Sequence, residues 1–105
     1  MRENKTEKME KSERLKIYQK ACEKWGRVAQ LEMAQEEATE LALAIRREIR
    51  NNDEKSFLEL VDEIADVEIM IEQIKMIYEL TPLEYAVEER KEYKVNRLKQ
   101  RIETP

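Results

Sequence analysis

The 105-residue chain has no histidine, a single glycine (Gly26), a single cysteine (Cys22), two prolines, one Trp (Trp25) and one Phe (Phe57). Each shortage removes a class of chemistry. Without histidine there is no His-bearing zinc site, no Ser-His-Asp triad and no Glu-x-x-His motif of the di-iron bundles. One glycine cannot supply a P-loop or a dinucleotide fingerprint. One cysteine precludes an intrachain disulfide, which fits a reducing, cytoplasmic setting. The first fourteen residues are mostly charged and the longest apolar run is Leu41 to Ile45, so neither a signal peptide nor a membrane span is expected. So few turn-forming residues exclude a β-sandwich or barrel. Any catalysis must rest on carboxylates and cations, with or without a metal.

What the chain has in abundance is charge: 42% of its residues are Asp, Glu, Lys or Arg, beside 41% hydrophobic ones. That balance predicts long amphipathic helices in one all-α domain. The charge is unevenly laid out, with a net of +4 over residues 1–27, −9 over 28–80 and +1 over 81–105. An acidic middle, with no basic recognition helix, argues against a nucleic-acid binder.

The pattern predicts a flexible polar N-terminus over residues 1–11 and a single domain over 12–105 built from four helices. The first starts at Ser12 as N-cap and ends at Trp25, with Gly26 as the break. The second runs from Arg27 to Arg50 and is stopped by Asn51-Asn52. The third runs from Asp53 or Ser56 to Leu80. The fourth follows Thr81-Pro82 and reaches Ile102.

On the second helix a core stripe of Leu31, Ala34, Ala38, Leu41 and Ile45 lies beside a mixed stripe of Gln30, Met33, Glu37, Glu40 and Ala44. The third repeats this, with Leu60, Ile64, Val67, Ile71, Ile74 and Ile77 beside Glu63, Asp66 and Met70. Both helices also carry apolar residues on their far faces, so a second copy is expected to cover the second and third helices, giving a homodimer or homotetramer.

In a chain with 24 acidic residues, one acid-x-x-acid pair is an accident to be expected. Two such pairs, each flanking the apolar stripe of consecutive antiparallel helices, are less so. Packing those stripes together converges four carboxylates. Two charges ~5.5 Å apart repel by about 3 kcal/mol at an effective dielectric of ~20, so a cluster needs a cation. Oxygen ligands without histidine point to Mg²⁺, with Mn²⁺ as a substitute. Two plainer readings stand beside this one: a solvated acidic face, and a structural cluster neutralised by Arg47.

The fourth helix offers the complement. Arg90, Lys94, Arg97 and Arg101 form one basic row along the apolar stripe of Leu83, Val87, Leu98 and Ile102. It is either a solvent-facing row balanced by Glu84, Glu88, Glu89 and Glu92 or a phosphate clamp. Trp25, at a helix end, suits a core position or a platform for stacking a base.

Glu36-Glu37-Ala38-Thr39-Glu40-Leu41 resembles the Glu-Glu-x-x-Glu motif of the all-α nucleoside triphosphate pyrophosphohydrolases, the MazG-like superfamily. Glu63-Ile64-Ala65-Asp66-Val67 resembles its Glu-x-x-Asp partner. Trp25-Gly26, Gln30, Glu68 to Gln73, and Lys94-x-x-Arg97-Leu98-x-x-Arg101 are similar to the short versions found in phages and Gram-positive bacteria. The likeness covers residues 18–102. The Lys-Tyr-Pro ending of larger relatives is missing after Lys91 to Asn96.

The resemblance implies a four-helix MazG-like bundle that binds Mg²⁺ through Glu37, Glu40, Glu63 and Asp66. Glu37 or Glu40 is the implied base for water attack on the α-phosphorus of a nucleoside triphosphate. The implied products are a nucleoside monophosphate and pyrophosphate, with Lys94, Arg97 and Arg101 on the phosphates and Trp25 and Gln30 near the base or sugar. The alternative expectation is a non-catalytic helical interaction or regulatory module.

Overall fold

The computed structural model describes residues 7–105. Three helices account for nearly all of it: α1 (Lys11–Asn51), α2 (Glu54–Ile77) and α3 (Leu83–Glu103). The all-α expectation holds, and α1 is interrupted at Gly26, where the sequence placed the break between its first and second helices. There φ is 89° and ψ is 164°, a conformation open essentially to glycine alone. The expected flexible N-terminus lies partly outside the described residues. Within them, residues 7–10 are exposed and non-helical, and Glu10 rather than Ser12 occupies the N-cap, without a side-chain cap.

Polar contacts give the direction of the chain on each side of the bend. After Gly26, α1 and α2 run antiparallel: Glu48 meets Ser56, Arg47 meets Glu59 and Arg27 meets Tyr78. Before Gly26, Tyr18 and Arg14 both reach Glu72, so the N-terminal segment of α1 turns back over α2.

The α1–α2 connection is two residues long because each does a specific job. Asn52 ends α1 in the left-handed region (φ 49°, ψ 49°), which Asn tolerates, and its N–H bonds the Glu48 carbonyl. Asp53 then starts α2 with a reciprocal capping box. Its carboxylate accepts from the Ser56 N–H at 2.8 Å, and its own N–H donates to Ser56 Oγ at 3.2 Å. The buried Ser56 hydroxyl also lies 2.7 Å from Glu48 Oε1, tying the turn to α1.

The seam is shared between the two stripes of each helix, where the sequence expectation gave it to the apolar stripe alone. The residues buried between α1 and α2 include Gln30 (2% exposed), Ala44, Ser56, Met70 and Gln73. These belong to, or continue, the mixed stripes. The stripes expected to form the core stand partly open: Ile45 is 44% exposed, Ile64 42% and Ile71 46%. Helical geometry places the open stripes of the two antiparallel helices on one face of the hairpin, since each is turned the same way from the seam. The seam thus takes the mixed stripes together with the inner edge of the apolar ones, where Leu31, Ala34, Leu41, Leu60, Val67, Ile74 and Ile77 are half-buried, and leaves the outer edge at Ile45, Ile64 and Ile71 open.

The connector to α3 is held by its own hydrogen bonds. Thr81 N–H and hydroxyl both bond the Tyr78 carbonyl, and Leu83 N–H donates to Thr81 Oγ1. Pro82 is the N-cap, so α3 begins one residue later than a Thr81 cap with Pro82 at the first helical position would place it. α3 itself buries no residue, and α1 with α2 forms the principal packed pair. The Cα radius of gyration is 17.0 Å, whereas a compact chain of this length has one of about 13 Å. No described helix is long and apolar enough to cross a membrane.

Candidate metal centre

Glu37 of α1 and Glu63 and Asp66 of α2 each present a carboxylate oxygen, and these three oxygens lie within 4.8 Å of one another. The convergence follows from the register. Glu63 and Asp66 are three residues apart, so they share one flank of α2, and the antiparallel pairing sets Glu37 opposite them. Glu37 and Glu63 are half-buried, while Asp66 is exposed. Glu37 also lines, with Gln35, Glu36, Thr39 and Glu40, a depression open to solvent, so the cluster sits at the edge of the seam.

No cation among the described residues is paired with it. The ion pairs among the described residues are Arg14–Glu72, Arg47–Glu59 and Lys91–Glu88. Arg47, the residue available for a structural cluster, spends its charge on Glu59 at 3.1 Å. Burial, then the charges of Asp66 and Glu63, and after them that of Glu40, push the Glu37 carboxyl above its ordinary value. Glu63 Oε1 is buried without a hydrogen-bond donor. A buried carboxylate oxygen with no donor is costly unless something positive meets it. An all-oxygen set of converging carboxylates with an unmet oxygen fits a hard divalent cation such as Mg²⁺.

Of the four expected ligands, Glu37, Glu63 and Asp66 are brought together. Glu40 is exposed on the next turn of α1, near enough to act on Glu37 but outside the group of three. Gln30 lies on the same seam, two turns before Glu37, and is buried rather than open to a base. Trp25 stands beside the bend, 56% exposed, with the Lys24 ammonium 5.3 Å from its ring centroid. Lys94, Arg97 and Arg101 are all exposed on α3, which packs along neither arm of the hairpin.

Two features escaped the motif reading. Gln73 lies a further three residues along the Glu63, Asp66, Met70 stripe. It is buried with its Oε1 unpartnered, as is Gln30 Oε1, and its Nε2 meets only Met70 Sδ at 3.6 Å. Extending the stripe by one step would have found it. The second is Tyr18, buried eight residues before the bend, whose hydroxyl donates to Glu72. Burial, with the bond to and charge of Glu72, pushes its pKa up to about 12. No signal in the sequence pairs these two residues.

The chain matches no protein-family model, no curated protein and no solved structure.

Proposed function

We propose that this chain is a Mg²⁺-dependent nucleoside triphosphate pyrophosphohydrolase of the MazG-like type, converting a (d)NTP to the (d)NMP and pyrophosphate in nucleotide-pool housekeeping. The supporting observation is the convergence of the Glu37, Glu63 and Asp66 oxygens within 4.8 Å, with no side-chain cation on them. In this reading the protein works in the cytoplasm as a homodimer or homotetramer built on four-helix bundles, with no nucleic acid or membrane as partner.

Glu37, Glu63 and Asp66 would hold Mg²⁺, or Mn²⁺ in its place, with Glu40 beside them. The bound ion would offset charge on the triphosphate and on the carboxylates, and favour deprotonation of the attacking water. Glu37, half-buried within the converging group, is the first candidate for the base. Glu40 is the second candidate. As the bond from water oxygen to the α-phosphorus forms, the bond from that phosphorus to the bridging oxygen breaks. The water's proton passes to the carboxylate, and pyrophosphate leaves. Lys94, Arg97 and Arg101 would bind the phosphates by charge-assisted hydrogen bonds. Trp25 and Gln30 remain the proposed base or sugar contacts, and Gln30 requires the seam to open.

The exposed apolar faces of the hairpin and of α3 favour a second reading, a helical interaction module that retains the fold without turnover. A panel of the eight common (d)NTPs with Mg²⁺ or Mn²⁺, read for pyrophosphate separately from orthophosphate, separates the two. The enzyme reading expects pyrophosphate from at least one nucleotide, and its loss in Glu40→Gln or Glu63→Gln with helicity retained. No turnover across the panel, or full activity in those variants, rejects it.

A further inference from the structure

We propose that the segment of α1 before Gly26 is a hinged strap. Clasped on α2, it holds the α1–α2 seam shut over two hydrogen-bond acceptors that go unmet; released, it lets the seam open and hydrate. The device is independent of turnover and of metal.

The bend lets the two arms of α1 grip α2 from two sides. The arm after Gly26 packs along the face of α2 that carries Glu63, Met70 and Gln73. The arm before it lies over Ala65, Ile69, Glu72 and Met76, and lines with them two hollows of about 390 and 310 Å³. These four residues are spaced 4, 3 and 4 apart, so they form one stripe. At about 100° per residue, that stripe lies on the side of α2 turned away from Glu63 and Met70.

The outer grip is slight. Among the described residues its polar ties to α2 both fall on one side chain. The Tyr18 hydroxyl donates to Glu72, and Arg14 Nη1 lies 3.7 Å from the same carboxylate. Burial fades away from the bend: Ala21 and Cys22 are half-buried, Tyr18 is buried, and residues 11–17 are all exposed. A hollow opens on each side of the tie at Glu72, so little apolar surface is closed there. The pivot is uncrowded, with nothing within 4 Å of where a Cβ at Gly26 would sit.

What the clasp closes is unfavourable to close. Gln30, one turn beyond Gly26, is level with Gln73 in the antiparallel register that Arg27 with Tyr78 and Arg47 with Glu59 establish. Both glutamines are at least nine-tenths buried, and the Oε1 of each lacks a donor. Gln73 adjoins Glu72, the tie, and stands three residues before Met76, which shares a hollow with the strap. Buried carbonyl oxygens without donors are costly, and water reaching an opened seam would supply them. The seam thus has a preference for opening that the clasp opposes, and Glu72 is the release point.

The test uses the full-length chain with Glu72→Ala, which removes both ties, followed by hydrogen exchange. With a hydrogen bond and an ion pair lost, exchange over residues 11–25 is expected to rise about 10-fold, and exchange over 28–34 and 70–76 to rise with it. Cys22 should be alkylated by iodoacetamide faster in the same variant. A seam that keeps wild-type exchange, whether or not the strap loosens, overturns the proposal. Should Glu72→Ala lose its helicity, Tyr18→Phe, which keeps the ring and removes one tie, serves in its place. The second readout is a double-mutant cycle in thermal melts. Gln73→Met replaces an unmet amide by an apolar side chain, and is expected to raise the melting temperature of the otherwise wild-type chain. Combined with the strap variant, in which the amide is already hydrated, it should raise it less. Equal gains in the two backgrounds, or no gain in the first, overturn the proposal.

Discussion

The α1–α2 hairpin and α3 are both amphipathic and both highly charged, yet they are organised in opposite ways. The hairpin turns its polar stripe inward, burying Gln30, Ser56 and Gln73 and gathering Glu37, Glu63 and Asp66, while Ile45, Ile64 and Ile71 stay open. α3 turns nothing inward and presents cations. One region gathers carboxylates left without an ion pair among the described residues, and the other carries cations of which only Lys91 is paired. Neither arrangement minimises the free energy of an isolated chain, since partly open aliphatic side chains forfeit about 25 cal/mol per Å² of buriable surface. In the proposed function the difference separates the jobs: the hairpin would hold a cation, and α3 an anion.

The sharpest way to break that division is kinetic. Glu63→Gln is expected to lower kcat by about 10³-fold, because it removes a group needed as charge develops in the transition state. Lys94→Ala is expected to raise KM by about 10-fold with a smaller effect on kcat, as befits uniform binding of phosphate. Steady-state kinetics on the nucleotide found in the panel assay decides it, and equal kcat losses for both would erase the distinction between the two regions.

A second test concerns the bend that lets the N-terminal segment of α1 return over α2. Nothing lies within 4 Å of where a Cβ at Gly26 would sit, so the obstacle there is backbone strain alone. With φ at 89° and ψ at 164°, Gly26→Ala is expected to cost about 1–3 kcal/mol in urea or thermal melts. A variant as stable as wild type would show that the bend relaxes into continuous helix, undoing the contact between Tyr18 and Glu72.

The smallest expected effect is at that contact. Tyr18→Phe should cost about 1 kcal/mol, the net worth of a typical hydrogen bond. The folded Tyr18 has a pKa of about 12 against an ordinary 10.0. Its contribution is therefore fully present below pH 10 and is lost as pH rises toward 12; the variant should lack this alkaline loss in a pH series of melts. Glu37 has the same sign at the other end of the scale. Its carboxyl is raised above 4.5, so its contribution to the metal-free protein is present below that pH and lost as pH rises through the raised value.

Much of this organisation can be read from the residues, and its limits are physical. Asn52, Asp53 and Ser56 mark the hairpin turn through left-handed tolerance and capping, which are local properties. The Glu37, Glu63 and Asp66 convergence follows from helical spacing and antiparallel pairing. How the intrachain seam divides between the mixed and the apolar stripe was not legible. Periodicity locates the apolar stripe but does not say whether the same chain or another one covers it, and Ile64 and Ile71 were assigned to a core that one copy does not close. The detachment of α3 was hidden for a related reason: its stripe of Leu83, Val87, Leu98 and Ile102 looks like that of any packed helix. Gly26 signalled a break, but its dihedral angles, and with them the return of Tyr18 to Glu72, belong to tertiary structure.

The central claim is that Glu37, Glu63 and Asp66 hold a divalent cation, and Mg²⁺ titration by calorimetry near neutral pH tests it most directly. Wild type is expected to bind Mg²⁺ saturably. Glu63→Gln should abolish the binding while keeping the helical circular dichroism signal. Wild-type protein that takes up no Mg²⁺ and no Mn²⁺, or a Glu63→Gln variant that binds as wild type does, would contradict the account.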